Sequence, residues 1–293
     1  AIRLCSDAVI LPPRFERYSE VSRRVMAILL AVTTQLQQIS IDEAYMDATE
    51  IVGLAVHPAG LARSLKERVK SEVGLTISLG VATSKSVAKI ASEMGKPDGL
   101  TIIEPGTERV FLAPLATRML SGIGPRTEEL LAAKGVTTLG QLAERSDQWL
   151  ERQLGKRGPE LGVASRGLDD RPVKTERIAK SISAETTLTR DTRDRQTMLQ
   201  VIASLSDRVG VRIDKSSSKG KTVTLKLRRS DFTTITRSLT LPSPTADPEL
   251  VRNVAQRLLD KEIGHSVGHY RLLGVGLSNF ADEEGQLPLF DFG

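Results

Sequence analysis

The sequence predicts a multidomain protein of α/β + α + α/β class, in which a mixed region, a helical region and a second mixed region follow one another. Strand and helix patterns alternate over residues 1–105, only helical patterns occur over residues 106–168, and six elements in the order β-α-β-β-α-β fill residues 178–280. A chain of 293 residues is long enough for about two domains of roughly 150 residues each. Hydrophobic residues make up 40% and charged residues 26% of the chain, as in an ordinary globular protein.

The composition excludes several classes of protein. A single cysteine, Cys5, rules out a framework of disulfides and favours a reducing compartment, so we expect a cytoplasmic location. One cysteine and three histidines are too few for a zinc site of the Cys/His kind. No apolar run approaches the roughly 20 residues of a membrane-spanning helix, and no secretory signal is recognisable, so we expect no membrane partner. The aromatic content of 3% argues against a surface that stacks bases.

The first mixed region is predicted from two hydrophobic periods. Apolar residues at helical spacing predict a first helix, and the alternation of Ile39 and Ile41 with polar residues predicts a first strand. A second helix ends where Gly74 stops the apolar pattern. The predicted elements are a helix over residues 19–35, a strand over 38–45, a helix over 58–73, a strand over 76–82, a helix over 84–94 and a strand over 100–103.

The middle of the chain changes in character. Helical patterns with short glycine-containing turns predict a small all-α region over residues 106–168. The stretch that follows, residues 169–177, is polar and charged and contains Pro172. We therefore expect this stretch to be an exposed linker.

The last region is predicted to form one sheet with helices on one side. Its elements are a strand over residues 181–188, a helix over 194–214, strands over 222–228 and 233–241, a helix over 248–263 and a strand over 270–277. In the second strand, Val223, Leu225 and Leu227 share one side, which we expect to face the helices. The opposite side is predicted to be an open, polar and basic face that carries Thr222, Thr224, Lys226 and Arg228.

Positive charge is concentrated in this last region. The net charge is +2 over residues 1–177, +7 over residues 178–280 and −4 over residues 281–293, which together make the +5 of the chain. A basic domain beside a nearly neutral one indicates a polyanionic partner, most simply nucleic acid. A solvated basic surface is the alternative, and charge alone does not separate the two.

Two neighbouring carboxylates, Asp42 and Glu43, stand in the run SIDEAYMD at residues 40–47. Adjacent strand residues point to opposite faces, so both can reach one metal ion if the strand ends or bends there, or if the longer glutamate reaches around. Oxygen ligands at this density suit Mg²⁺, which keeps water or substrate phosphate in its remaining positions. The alternative is an ordinary strand end that faces solvent.

A strand that leads into a lysine-bearing helix occupies residues 74–99. The helix is predicted to begin near Ser84, where unpaired N–H groups and the helix dipole favour an anion such as a triphosphate. Lys85, Lys89 and Lys96 recur along the segment. This stretch alone nevertheless favours the alternative, that the lysines only solvate an amphipathic helix.

Residues 120–142 contain a helix–hairpin–helix pattern. Gly122 and Gly124 flank one apolar residue, and their lack of side chains lets backbone N–H groups approach a phosphate without reading bases. Arg126 lies at the start of the helix that follows. This pattern favours binding of the DNA backbone over a plain helical hairpin.

The acidic end of the chain contains a short apolar peptide, QLPLF. Gln286, Leu287, Leu289 and Phe290 follow a cluster of three acidic residues. An exposed apolar peptide of this kind typically docks in a groove of another protein. A terminal segment folded onto the chain's own core is the alternative.

These runs together resemble the Y-family DNA polymerases, and the chain is similar to the DinB, or DNA polymerase IV, branch of that family. The resemblance is carried by SIDEAYMD, SLGVATSKSVAKIASEMGKPDG, SGIGPRTEELLAAKGVTTLGQL and the linker with its β-α-β-β-α-β region, in this order. The tail QLPLF resembles the peptide by which bacterial polymerases bind the sliding clamp, the β subunit. The resemblance covers nearly the whole chain, from about Ile2 onward.

The resemblance implies a role for each motif. Asp42 would ligate a metal ion, and Glu43 would act catalytically beside it, with two Mg²⁺ ions expected during catalysis. Lys96 would contact the incoming deoxynucleoside triphosphate. The implied domains are a partial polymerase palm over residues 1–105, a helical thumb with the helix–hairpin–helix over 106–168, a linker over 169–177, a little finger that holds DNA over 178–280 and a clamp-binding tail over 281–293.

The implied function is a translesion-type DNA polymerase of the bacterial cytoplasm. It would act as a monomer, add deoxynucleotides to the 3′ end of a primer–template DNA by Mg²⁺-dependent phosphoryl transfer, and be tethered to the clamp. The family also has a first strand with another catalytic aspartate, a steric gate and a fingers region, so we expect these to precede Ala1. The alternatives are a non-catalytic DNA-binding accessory protein of the same lineage, recruited through the clamp, and a structural DNA-binding protein.

Overall fold

The computed structural model describes residues 4–52, 57–176, 179–265 and 268–280. The chain divides into two compact units, Ala1–Thr175 and Glu176–Gly293, and each is described by itself. Within the described residues, no helix combines the length and the apolar character that crossing a membrane requires. The predicted docking peptide near the end of the chain lies outside the described residues.

Two long helices cover the strands at the start of the first unit. Their shared core contains Ile28 from one helix and Leu65 and Val69 from the other, and Leu79 of a strand packs against it. Helix α1 spans Phe15–Leu30, the single turn α2 spans Thr49–Val52 and α3 spans Pro58–Val73. Helix α1 begins and ends earlier than predicted, whereas α3 has the predicted bounds.

The bounds of α3 follow from local end signals. The His57 side chain accepts a hydrogen bond from the Ala59 N–H at 3.2 Å, and Pro58 occupies the first helical position, where its missing N–H costs nothing. Gly74 ends the helix with φ of +80°, a left-handed conformation that favours glycine. These signals lie within a few residues of the helix, so the sequence predicts it correctly.

The strand predicted over residues 38–45 is wrong, because the chain turns back on itself there. Strands β1 (Leu36–Gln38) and β2 (Ala44–Met46) form an antiparallel pair, and the N–H groups of Ile39 and Ser40 both donate to the Glu43 carbonyl, at 2.9 and 3.3 Å. The alternation of Ile39 and Ile41 does not reflect burial, since these side chains are 36% and 41% exposed. Ser40 and Asp42 instead hydrogen-bond each other across the turn, as short polar residues do.

A second small sheet pairs two parallel strands through a crossover helix. Strand β3 spans Leu79–Val81, helix α4 spans Lys85–Met94 and strand β4 spans Leu100–Ile102. Helix and strand are in close contact at Gly80, where an added Cβ atom would lie 2.0 Å from the Ala88 carbonyl oxygen. The residues described contain no ladder that joins this sheet to the β1–β2 pair.

Short helices follow and share a core with α4. Val87 and Ile90 of α4 belong to the same buried cluster as Leu112, Leu131 and Leu150 of this helical region. The helical region is therefore packed onto the crossover helix inside one unit. Its helices are α5 (Glu108–Leu112), α6 (Pro125–Ala132), α7 (Leu139–Ala143), α8 (Asp147–Leu154) and α9 (Gly158–Ser165), with 3-10 turns at Thr117–Met119 and Gly155–Arg157.

The second unit is a four-stranded antiparallel sheet packed on two helices. Strand order across the sheet is β5-β8-β6-β7, and the elements occur along the chain as β-α-β-β-α-β. The core lies between the helices and one face of the sheet, where Val223, Leu225 and Leu227 are fully buried as predicted. The elements are β5 (Ser181–Thr192), α10 (Arg195–Ser216), β6 (Gly220–Arg229), β7 (Thr234–Thr245), α11 (Pro248–His265) and β8 (Tyr270–Phe280).

Candidate active site

The turn between β1 and β2 carries the two predicted acids to the rim of a large cleft. We call residues 36–46 the acid hairpin. The cleft has a volume of about 1240 Å³, and Asp42, Glu43 and Lys96 all line it. Adjacent residues of a strand would point to opposite faces, but neither acid lies within a strand, so this restriction does not apply to them. The structure thus brings together the three residues of the first unit that the sequence connects with nucleotide chemistry.

The two acids differ in their surroundings. Asp42 is exposed and accepts a hydrogen bond from the Ser40 hydroxyl within the turn. Glu43 is half-buried and accepts a hydrogen bond from the Lys89 ammonium, with 2.6 Å between Nζ and Oε1. Glu43 is therefore tied to helix α4, whereas Asp42 is held only by its own turn.

A chain of alternating charges runs from Glu43 along α4 to Lys96. Lys89 also donates to Glu93 at 2.7 Å, and Lys96 donates to the same Glu93 oxygen at 2.7 Å. Burial lowers the pKa of Lys89, but the hydrogen bonds that Lys89 donates to Glu43 and Glu93 outweigh it, so its pKa is raised overall. The hydrogen bonds from Lys89 and Lys96 lower the pKa of Glu93, which therefore stays ionised near neutral pH. The sequence shows these lysines but not the acids that bind them.

The acid pair fits a hard divalent cation as part of its coordination shell. Carboxylate oxygens are the ligands that Mg²⁺ prefers, and Mg²⁺ is usually bound by one or two carboxylates together with water and substrate phosphates. Asp42 and Glu43 supply such a pair at the cleft. Across the described residues, no group of three or more His, Cys, Asp or Glu side chains forms a complete metal cage.

The N-terminus of α4 is occupied by a carboxylate of the same unit, which agrees with the alternative that the sequence of this stretch favours. The Asp169 carboxylate accepts hydrogen bonds from the Ser86 N–H at 3.2 Å and from the Ser86 hydroxyl at 2.6 Å. An anion already neutralises this helix end, so a second one is not favoured there. Lys85 is also engaged, because its ammonium donates to the Pro172 carbonyl at 2.7 Å. Lys96, at the other end of the segment, remains the predicted triphosphate contact.

The glycine hairpin, residues 120–124, is held by two buried side chains and has its glycines exposed to solvent. Leu120 and Ile123 are 2% and 6% exposed, whereas Gly122, Gly124 and Arg126 are exposed. Gly122 has φ of +101°, which favours glycine. The element before the hairpin is a 3-10 turn rather than an α-helix, and α6 begins directly after Gly124.

The open face of the second unit carries the predicted polar row of β6. Thr222 and Thr224 contact hydroxyl groups of β7 at 3.0 and 2.9 Å, and Arg228 donates to a third β7 hydroxyl at 3.0 Å. Lys226 forms an ion pair with Glu185 at 2.7 Å, which reduces the positive charge of this face. The partners on β7, which the sequence analysis does not single out, are Thr234, Ser238 and Thr240. Their alternation along β7 is the same period-two signal that marks β6.

Comparison with known proteins identifies two family domains in the chain. The impB/mucB/samB family model matches residues 1–93, and the impB/mucB/samB family C-terminal domain model matches residues 179–289. These matches cover the acid hairpin and all but the last residue of α4 in the first unit, and most of the second unit.

Curated relatives carry one name. DNA polymerase IV of Streptomyces coelicolor is 44% identical over 287 residues, which are 96% of this chain and 59% of that protein. DNA polymerase IV of Desulfatibacillum aliphaticivorans is 37% identical over 99% of this chain and 74% of that protein. DNA polymerase IV of Halorhodospira halophila is 38% identical over 99% and 81% of the two chains. The chain thus spans less than two thirds of the Streptomyces relative.

Solved structures point to the same family. A Y-family DNA polymerase chimera of Dbh and Dpo4 superposes with a TM-score of 0.86 at 25% identity, covering 95% of this chain and 80% of that one. The insertion ternary complex of Dbh DNA polymerase gives a TM-score of 0.62 at 25% identity, with 95% and 80% coverage. The family models, the curated relatives and the fold together show that the chain belongs to the impB/mucB/samB family, in the DinB branch of the Y-family DNA-directed DNA polymerases.

Proposed function

We propose that this chain carries out template-directed, translesion-type addition of deoxynucleotides to the 3′ end of a primer. The observation that supports this most directly is that Asp42, Glu43 and Lys96 line one cleft. The matched relatives are named DNA polymerase IV, and one matched structure is an insertion ternary complex. A primer–template DNA and a deoxynucleoside triphosphate are therefore the proposed substrates.

Asp42 and Glu43 would hold Mg²⁺, with two ions during the reaction. Bound there, the ions would lower the pKa of the primer 3′-hydroxyl and neutralise charge on the leaving pyrophosphate. Asp42 offers an exposed carboxylate, whereas Glu43 would ligate through its second oxygen, because its ion pair with Lys89 uses only Oε1. Lys96, whose side chain is 53% exposed, would turn from Glu93 to the triphosphate. Positioning and charge stabilisation are the main demands of phosphoryl transfer.

The remaining parts would hold DNA by its backbone. We assign residues 1–105 to a palm, 106–168 to a thumb and 178–280 to a little finger. The exposed backbone of the glycine hairpin is suited to a phosphate, and the Thr-rich open face offers hydroxyl donors and Arg228. Backbone contacts carry no base information, which suits an enzyme that accepts many template sequences.

The acidic tail is proposed to bind the sliding clamp. Gln286, Leu287, Leu289 and Phe290 would dock in a groove of the clamp, and the chain itself would act as a monomer. This proposal depends on the sequence of the tail and on its resemblance to clamp-binding peptides.

Primer extension by the full 293-residue chain with Mg²⁺ tests the polymerase proposal. We expect Asp42→Ala to lower incorporation by at least about a hundredfold, because a metal ligand at the reacting centre is lost. The control is Glu67→Ala, which removes an exposed carboxylate on α3 and is expected to extend primers normally. Equal incorporation by the wild type and Asp42→Ala would show that the acids are not the metal site.

The second candidate function is a non-catalytic DNA-binding accessory protein recruited through the clamp. It is favoured by the parts that suit the DNA backbone without any chemistry, the exposed glycine hairpin and the hydroxyl row of the open face. DNA binding without primer extension by the wild-type chain would support this candidate and refute the polymerase proposal.

A further inference from the structure

The segment that leaves the helical region is exposed over most of its length but has one buried side chain. We call residues 167–174 the strap. The side chain of Asp169 is only 3% exposed, although the neighbouring Asp170 is exposed. The expectation of an exposed linker over residues 169–177 is therefore wrong for Asp169, although Asp170, Arg171 and Pro172 are exposed as expected. Charged residues beside a proline usually indicate solvent exposure, and the partner that buries Asp169, Ser86, is distant in sequence.

Asp169 joins the strap to the first turn of α4. Besides the two bonds from Ser86, its carboxylate accepts hydrogen bonds from Arg171, at 2.6 Å from Nε and 2.7 Å from Nη2. Together these four donors satisfy both carboxylate oxygens, as a buried charge requires. The hydrogen bonds from Arg171 and then Ser86 hold the pKa of Asp169 far below its usual range, despite its burial. The carboxylate is thus ionised throughout the physiological pH range.

The strap also reaches the acid hairpin. The Gln37 side-chain oxygen, in β1, accepts hydrogen bonds from the Lys85 ammonium at 3.1 Å and from the Lys174 N–H at 3.2 Å. Lys85 in turn donates to the carbonyl of Pro172. Ser84, which precedes α4, donates to the Gly167 carbonyl at 3.2 Å. Strap, acid hairpin and the start of α4 therefore form one hydrogen-bonded group.

These contacts matter because the two halves of the site lie on different elements. The acids lie in the turn between β1 and β2, Lys96 follows α4, and no ladder joins the two small sheets within the described residues. Two side chains of α4 bind the acid hairpin directly, Lys89 through its ion pair with Glu43 and Lys85 through its hydrogen bond to Gln37. The strap adds an indirect connection, since Lys174 binds the same Gln37 oxygen and Asp169 binds Ser86 of α4.

We infer that Asp169 is a positioning residue, which anchors the strap so that α4 and the acid hairpin stay in register across the cleft. This inference rests on the proposed function for its effect on nucleotide use, but the register itself is a property of the fold. A plain helix cap would stabilise only the first turn of α4. A positioning strap also stabilises the hairpin, which is a separate segment.

Hydrogen exchange of the full chain, measured by mass spectrometry, separates these two roles without any enzymatic activity. In Asp169→Asn, we expect exchange to speed up about tenfold both in the first turn of α4 and in residues 36–46, the size of effect expected for losing a charged hydrogen bond. The control is Asp170→Asn, which removes the neighbouring exposed carboxylate and is expected to leave both segments unchanged. Faster exchange confined to α4 would reduce Asp169 to a helix cap and overturn the inference.

A second variant approaches the strap from the hairpin side. Gln37→Ala removes the bridge to Lys85 and Lys174 but leaves the carboxylate of Asp169 in place. We expect faster exchange in the hairpin with an unchanged first turn of α4, and an unchanged hairpin would contradict the proposed connection.

Steady-state kinetics then measures the consequence for the proposed polymerase. If α4 and the acid hairpin lose their register, Lys96 moves away from the acids. In Asp169→Asn we therefore expect the KM for the deoxynucleoside triphosphate to rise several-fold while DNA affinity is unchanged. Faster hydrogen exchange in both segments with an unchanged KM would overturn the positioning role. A wild-type chain that extends no primer would refute the proposed function, and the exchange result would still decide the inference about the strap.

Discussion

The acid pair shows how two adjacent residues acquire different roles from their neighbours. Asp42 is held by a hydroxyl two residues away, whereas Glu43 is paired with Lys89, which is 46 positions further along the chain. The ammonium of Lys89 balances the charge of the Glu43 carboxylate. Partly exposed ion pairs contribute little to stability, so the value of this pair lies in the orientation of Glu43 rather than in the free energy of folding.

The first prediction at this scale concerns Lys89→Ala. This change removes the ammonium that is paired with Glu43, so we expect kcat/KM for nucleotide incorporation to fall about tenfold. The free energy of unfolding is expected to change by less than about 1 kcal/mol. Primer extension and urea denaturation measure the two quantities. Lys134→Ala, at an exposed lysine of the helical region, is the control and is expected to change neither. A large loss of stability with normal kcat/KM would contradict the orienting role of Lys89.

Elements of this protein are predictable where their ends carry local signals. Helix α3 follows from Pro58 and Gly74, which act on the helix that they flank. The acid hairpin was instead predicted as one strand, because Ile39 and Ile41 alternate with polar residues without being buried. The turn depends on the bond between Ser40 and Asp42 and on the pairing of β1 with β2, which the hydrophobic pattern does not reveal.

The packing of α4 on β3 yields a prediction at the scale of elements. An added Cβ atom at Gly80 would lie 2.0 Å from the Ala88 carbonyl oxygen and 2.5 Å from the Ser92 nitrogen, so Gly80→Ala forces helix and strand apart. We expect a loss of about 1–3 kcal/mol in the free energy of unfolding, as overpacking typically costs.

The matched control is Gly60→Ala in helix α3, where nothing lies within 4 Å of the added atom. This change is expected to stabilise the chain by about 0.5–1 kcal/mol, because alanine favours a helix interior. Urea denaturation followed by circular dichroism measures both variants. Equal stability of the two would show that α4 does not pack on β3 as described.

The whole molecule combines a nearly neutral first part with a basic second unit. Residues 178–280 have a net charge of +7, which suits a polyanion, although Lys226 on the open face is paired with Glu185. Binding of DNA by its phosphates releases counterions, so affinity depends on salt concentration and not on sequence.

We therefore predict a steep salt dependence of DNA binding by the whole chain. Between about 50 and 200 mM salt, affinity is expected to fall at least about tenfold, as a few phosphate contacts require. Fluorescence anisotropy with labelled primer–template DNA measures the slope. Arg228→Ala is expected to reduce the slope of log affinity against log salt by about one, and a flat response of the wild type would refute phosphate holding by this unit.

Local patterns in the sequence predict the bounds of α3, the inward and outward sides of β6, the neighbouring acids and the glycines of the hairpin. These features depend on residues close together in the chain, where periodicity and end signals act. The tertiary structure is needed to show that Lys89 binds Glu43, that Asp169 binds the start of α4, and that the acids share a cleft with Lys96. The first two contacts join residues 46 and 83 positions apart, and no local pattern selects one distant partner among many charged residues. These distant residues pair because packing of the core of the first unit brings their segments together.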